Sequence, residues 1–131
     1  MEEICNKSKE NLDSFRLLKS HNKLDASIHC AYYAAYLLSI YSLCKKFGYT
    51  LNNIEANTRG KDTHFYVRNE LSNKIGVNSR LDSNDFNKYI KELKRLRKLA
   101  DYTNIRMTNN QADFAEENVD NLFNLINTKY I

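Results

Sequence analysis

Residues 29–36 read HCAYYAAY, and this stretch decides the fold. Its alanines are small enough to let a neighbouring backbone approach closely, and its tyrosines carry large apolar rings with polar tips. The surrounding pattern predicts one helix from about Leu24 to Phe47, with Gly48 in the left-handed conformation at its end. Apolar residues lie on nearly every face of this predicted helix. That is typical of a helix at the centre of a bundle, or of one that also contacts a second subunit.

The sequence on either side predicts further helices and no strands. A first helix covers residues 3–20, and Asn22 is the predicted N-cap of the second helix. Polar residues 49–60 predict a loop with at most one helical turn. Asp62 or Thr63 then caps a third helix.

Gly76 is the predicted end of this third helix, whose buried face is predicted to consist of Phe65, Tyr66, Leu71 and Ile75. Ser83 or Asn84 caps a fourth helix, and a fifth covers residues 112–128. The 131 residues include no proline and only three glycines, which favours long helices and short links. We therefore predict a single all-α domain over residues 1–131, an up-and-down antiparallel bundle of four or five helices.

Composition also limits where the protein acts. No apolar run approaches the roughly 20 residues needed to span a bilayer, and the acidic start of the chain is unlike a signal peptide. A cytoplasmic protein without membrane contact is expected. Cys5, Cys30 and Cys44 have no CxxC spacing and are predicted to be buried thiols. A metal site with His29 would lack a fourth ligand, so we predict neither metal nor cofactor.

A second informative stretch, LRKLADY at residues 96–102, ends the fourth helix. Arg97 and Asp101 are four residues apart and share one helix face, so they form either an ordinary ion pair or a pair that orients Arg97 toward a ligand. Six basic residues and one acidic residue occur from Lys88 to Lys98. This basic stripe is either a phosphate-binding surface or a solvated helix face.

The two stretches, about sixty residues apart, together resemble the HEPN domains, small helical bundles that often cleave or bind RNA. The resemblance extends over roughly the whole chain. It implies a HEPN-like bundle that forms a homodimer, with a composite RNA- or nucleotide-binding groove at the dimer interface. It also implies a role in a toxin–antitoxin system, in phage defence or in stress-linked RNA turnover, with RNA, a cognate antitoxin or a nucleotidyltransferase as partner.

In HEPN ribonucleases, an arginine and a histidine in the spacing Arg-x-x-x-x-His form a metal-free site between two subunits. Arg97 matches the arginine, and Tyr102 stands where the histidine is expected. An arginine fork suits phosphate oxygens, and histidine exchanges protons near neutral pH, whereas free tyrosine has a pKa of about 10. The resemblance thus implies a catalytic group of Arg97, Asp101 and Tyr102, with His29 and His64 as candidate sources of the imidazole.

The predicted RNA contacts are Lys94, Arg95, Lys98, Arg106, Tyr32 and Tyr33. The tyrosines also suit a core or a subunit interface, where buried hydroxyls need partners such as Arg97 or Asp101. A metal-independent endoribonuclease is one predicted activity. The competing prediction is a catalytically inactive helical module that binds or regulates another protein, and the replaced histidine favours it.

Overall fold

The computed structural model describes residues 2–131, and within that range it contains six α-helices and no strand. The helices are α1 (Glu2–Ser20), α2 (Leu24–Phe47), α3 (Leu51–Thr58), α4 (Thr63–Asn78), α5 (Arg80–Tyr102) and α6 (Asn109–Lys129). The predicted all-α class is confirmed. No helix in residues 2–131 is long and apolar enough to cross a membrane.

Helix α2 lies at the centre of the fold. It packs against α1, α4, α5 and α6. Half of its residues are buried, including Ile28, Ala31, Ala35 and Leu38. Gly48 ends the helix with φ 76° in the left-handed region, as predicted. Contact with four other helices accounts for the apolar circumference of α2, so this pattern no longer argues for a second subunit.

A single hydrophobic cluster includes buried side chains from every helix. One representative from each of α1 to α6, in chain order, is Phe15, Ile28, Ile54, Leu71, Leu93 and Val119. The three cysteines are free thiols and only half-buried, whereas buried thiols were predicted. Cys30 and Cys44 both lie on α2.

Two predictions about helices and caps in the first half of the chain were wrong. Residues 51–58 form α3 rather than a loop, because the Thr50 hydroxyl accepts a hydrogen bond from the N–H of Asn53 and Ile54 is buried. Asn22 is not the cap of α2. It adopts a positive φ of 58° in the turn after α1, and Lys23 holds the cap position without a side-chain bond.

The link between α4 and α5 is shorter than predicted. Helix α4 continues through Gly76 to Asn78, and Ser79 both ends α4 and caps α5 by accepting from the N–H of Asp82. Neither Ser83 nor Asn84 is therefore a cap. Burial of the α4 face outweighs the loss of about 1 kcal/mol from a helical glycine.

Side-chain hydrogen bonds also join α4 to α5. The Ser83 hydroxyl donates to the Ser72 carbonyl oxygen at 2.9 Å, and the Asn87 amide donates to the Ser72 hydroxyl. Together with the one-residue link at Ser79, these bonds hold α4 beside α5. The two helices form the walls of a basic groove that is described in the next subsection.

Candidate nucleic-acid interface

The C-terminal end of α5 carries a cluster centred on Arg97, whose side chain is 13% exposed. Arg97 Nη2 donates to the hydroxyl oxygens of Tyr33 at 3.0 Å and Tyr102 at 3.2 Å. The guanidinium carbon lies 5.6, 5.3 and 5.2 Å from the ring centroids of Tyr32, Tyr33 and Tyr102. Cation–π attraction and hydrogen bonds together fix the orientation of the guanidinium.

Asp101 connects Arg97 to His29. Its Oδ2 atom lies 3.0 Å from Arg97 Nε, so the predicted ion pair is formed, and 2.7 Å from His29 Nδ1. The buried Nε–H of Arg97 is not aimed at this oxygen, and Nε has no hydrogen-bond partner among residues 2–131. Because an ionised carboxylate only accepts hydrogen bonds, the geometry assigns the proton of His29 to Nδ1. The side chain of His29 is 44% exposed, and Nε2 makes no hydrogen bond within residues 2–131.

His64, by contrast, is packed among the tyrosines of α2. Its ring is nearly parallel to that of Tyr36 at 4.1 Å, and Nδ1 lies 2.6 Å from the Tyr32 hydroxyl. Burial and the nearby charge of Arg97 lower the pKa of His64, so the imidazole is neutral at pH 7. Tyr32 is buried and has no other acceptor in the described part of the chain, so its hydroxyl donates to Nδ1. This histidine is a hydrogen-bonded packing residue.

A basic groove of about 270 Å³ lies between α4 and α5. This α4–α5 groove is lined by Arg68, Lys91, Lys94, Arg95 and Lys98. Four of the five are on α5 at positions three or four apart, which places them on one helix face. The predicted basic stripe of α5 therefore lines a shallow, open groove.

Lys94 connects the α4–α5 groove to the Arg97 cluster. Together with Tyr32, Tyr36 and His64, it lines a small cavity of about 10 Å³. This cavity has room for about one water molecule. Burial lowers the pKa of Lys94, as does the positive charge of Lys98, Arg68 and Arg97, while Asp62 acts in the opposite direction at 3.8 Å. Positive charge is crowded here, so a bound anion would be stabilised.

Most of the predicted site residues lie in this connected region. It contains the five predicted catalytic residues, the predicted RNA contact Tyr33 and the lysines of the α4–α5 groove. Arg106 is an exception, since it is exposed and pairs with Asp25 at 3.4 Å. Arg95 lines the groove but is paired with Glu92 at 2.8 Å. Tyr32 is buried, so it supports the site from below and does not reach the surface.

Sequence reasoning missed four contributors to the site: Tyr36, Asp62, Arg68 and Lys91. Lys91 stands within the predicted basic stripe, and its spacing of three from Lys94 could have identified it. Arg68 and Asp62 could be placed only by knowing that the start of α4 packs beside the middle of α5. No local pattern contains that information.

Among residues 2–131, no group of three or more His, Cys, Asp or Glu side chains is arranged to hold a metal ion. Comparisons with models of known protein families, with curated proteins and with solved structures gave no significant match to this chain. The resemblance to HEPN domains therefore stays a prediction from the two sequence stretches.

Proposed function

We propose that this protein binds single-stranded RNA, with phosphates in the α4–α5 groove and at Arg97. The observation that carries the proposal is the groove itself, in which five basic side chains from two helices adjoin the Arg97 cluster through Lys94. Arginine and lysine neutralise phosphates and release counterions, which drives binding to nucleic acid. The groove follows one face of α5, and its four basic residues on that helix lie within about 11 Å along the helix axis.

Fluorescence anisotropy with a labelled single-stranded RNA of about twelve nucleotides tests this proposal. We expect affinity to fall with salt, with a slope of about −0.7 per neutralised phosphate. The double variant Lys91→Ala/Lys98→Ala removes two groove charges and should reduce the slope by about 1.4. Lys7→Ala/Lys9→Ala removes the same charge from the exposed face of α1 and is the matched control. Equal slopes for both double variants would refute binding in the groove.

A second candidate function is metal-independent RNA cleavage, which the His29–Asp101 contact favours. With its proton on Nδ1, His29 presents Nε2 as a base for the 2′-hydroxyl of the RNA. The resulting alkoxide would attack the neighbouring phosphorus and displace the 5′-oxygen, which takes up a proton from solvent water, so that the products are a 5′-hydroxyl and a 2′,3′-cyclic phosphate. Arg97 would stabilise the extra negative charge on the phosphate oxygens, and the Tyr102 hydroxyl is placed to donate a hydrogen bond.

Cleavage is measured on single-stranded RNA in the presence of EDTA. Both His29→Ala and Arg97→Ala should abolish cleavage and leave the helical circular dichroism spectrum unchanged. His21→Ala changes an exposed histidine in the α1–α2 turn and should have no effect. DNA of the same sequence should stay intact because it lacks the attacking hydroxyl. Cleavage that persists in the Arg97→Ala protein would exclude this mechanism.

HEPN domains are antiparallel bundles, and the resemblance to them leads us to propose a homodimer. In this dimer the Arg97 clusters of the two subunits would share one groove. Two exposed apolar side chains near the cluster, Tyr102 at 71% and Ile105 at 60%, support a contact at this end of the molecule. In a toxin–antitoxin or phage-defence system, a cognate antitoxin or nucleotidyltransferase would be the partner. Light scattering tests the dimer. A monomer would instead favour the inactive interaction module, with the same apolar residues as its contact surface.

A further inference from the structure

Phe65 is an aromatic residue on the surface of the molecule, although the sequence predicted it in the core. Its side chain is 51% exposed, whereas Val67 and Leu71 on the same helix are fully buried. It stands in the first turn of α4, where Asp62 accepts a hydrogen bond from its backbone N–H. An exposed large aromatic ring is informative when it adjoins a polar, concave surface.

A cleft of about 350 Å³ opens beside this ring, within the usual size range of ligand pockets. The Phe65 cleft is lined by Asn57, Lys61, Asp62, Phe65, Tyr66 and Asn69. The Asn57 amide already donates to the Asn53 carbonyl. The Asn69 amide is exposed and makes no hydrogen bond within residues 2–131, so it can offer both a donor and an acceptor to a ligand.

Arg68 joins the Phe65 cleft to the α4–α5 groove. Its guanidinium carbon lies 5.1 Å from the centroid of the Phe65 ring, and the same side chain lines the groove. Asp62 makes a second connection, since it lines the cleft and lies 3.8 Å from Lys94. An aromatic face, a free amide and a row of positive charges are therefore contiguous.

We propose that the Phe65 cleft holds one unpaired base of the RNA strand whose phosphates lie in the α4–α5 groove. The inference rests on the RNA binding proposed above. The base stacks on the Phe65 ring, and Asn69 hydrogen-bonds its edge. Because bases in a duplex are already paired and stacked, the protein prefers single-stranded to double-stranded RNA.

Binding to two oligomers of equal charge tests the stacking contact. One is an oligouridine of about twelve nucleotides, and the other is its abasic counterpart, which has the phosphates without the bases. Phe65→Ala should weaken oligouridine binding about tenfold and leave abasic binding unchanged. The control Leu81→Ala truncates an exposed apolar residue away from the cleft and should change neither affinity.

Two results would overturn the inference in different ways. If the wild type binds oligouridine but Phe65→Ala binds both oligomers like the wild type, the base contact is refuted and RNA binding stands. If the wild type binds neither oligomer, the proposed function fails and the inference fails with it.

The absence of tryptophan from the sequence permits a direct readout. Phe65→Trp introduces a single tryptophan, which can be excited apart from the nine tyrosines and which a stacked base should quench. We expect oligouridine to quench it and the abasic oligomer to leave it unchanged. Leu81→Trp should respond to neither oligomer. Equal quenching of the two tryptophans by oligouridine would refute a specific contact at Phe65.

Discussion

Two clusters at the two ends of α5 use the same kinds of side chain. Near the N-terminus, Asp82 accepts hydrogen bonds from the Tyr130 hydroxyl at 2.6 Å and from Lys129 at 3.2 Å. Near the C-terminus, Asp101 lies 3.0 Å from Arg97, which donates to the hydroxyl of Tyr102 at 3.2 Å. Each cluster thus combines a carboxylate, a cation and a tyrosine.

The clusters differ in exposure and in how fully their polar groups are paired. Tyr130 is 1% exposed and Asp82 is buried, so the carboxylate and the hydroxyl of the first cluster are shielded from solvent, and only Lys129 is exposed. Tyr102 is 71% exposed, and the Nε–H of Arg97 is unpaired within residues 2–131. The first cluster ties the end of α6 to the start of α5. The second is partly open to solvent and is the candidate site. Residue types alone do not distinguish a structural tie from a candidate site.

Removing the carboxylate of each cluster should give the largest difference in stability between the two clusters. Asp82→Ala leaves the buried Tyr130 hydroxyl without its acceptor and should lower the free energy of unfolding by about 2–3 kcal/mol. Asp101→Ala breaks a partly exposed pair and should cost about 1 kcal/mol or less. Urea denaturation followed by circular dichroism measures both. Equal losses would show that the Arg97 cluster is as structural as the Asp82 cluster.

Deleting the two tyrosine hydroxyls is a gentler form of the same comparison. Tyr130→Phe removes a donor to buried Asp82 and should cost about 1–2 kcal/mol. Tyr102→Phe keeps the exposed ring over Arg97 and should change stability by less than about 0.5 kcal/mol. Thermal unfolding of both variants measures these losses of stability. A larger loss for Tyr102→Phe than for Tyr130→Phe would contradict the assignment of roles.

A pH titration probes the buried side of the Arg97 cluster and should give the smallest effect. The folded state lowers the pKa of His64, so it binds fewer protons there than the unfolded chain does. The resulting stability is present above about pH 6.5 and is lost as the pH falls toward the folded pKa. His64→Gln does not titrate and retains an acceptor for Tyr32, so it should lose less stability between about pH 7.5 and 5.5.

His21→Gln changes an exposed histidine and is the matched control for this titration. It should follow the wild-type stability curve. If His64→Gln loses as much stability as the wild type at low pH, the pH dependence comes from other groups. The pKa of His64 would then not contribute to the stability of the protein.

The sequence predicted the long helices well because their signals are local. The apolar spacing of α2 and the stop at Gly48 are both present in the structure. Helix α3 was missed because eight polar-rich residues carry little periodicity, and one buried side chain, Ile54, is enough to anchor them. Gly76 was misread as a helix end because its weak helix propensity is outweighed by packing.

The sequence predicted those contacts of the site that join residues of one helix at a spacing typical of helix neighbours. Arg97 and Asp101 are four residues apart on α5, and their contact follows from that spacing. The contact of Arg97 with Tyr102, five residues on, does not follow from helical spacing. The partnership of His29 with Asp101 crosses 72 positions and depends on how α2 packs against α5. Phe65 was assigned to the core because apolar residues usually are, and only the tertiary structure shows it outside.

Ser79, the single residue between α4 and α5, has a consequence for how the α4–α5 groove adapts to a ligand. A longer link would let the helices swing apart as a hinge, on a timescale of microseconds to milliseconds. The single linking residue and the Ser72–Ser83 bonds instead hold α4 and α5 together at this end and oppose such a motion. Only the lysine and arginine side chains then rearrange, in picoseconds to nanoseconds. If RNA binds in the groove as proposed, we therefore expect it to be captured without a slow opening step, at a rate set by encounter and ionic strength.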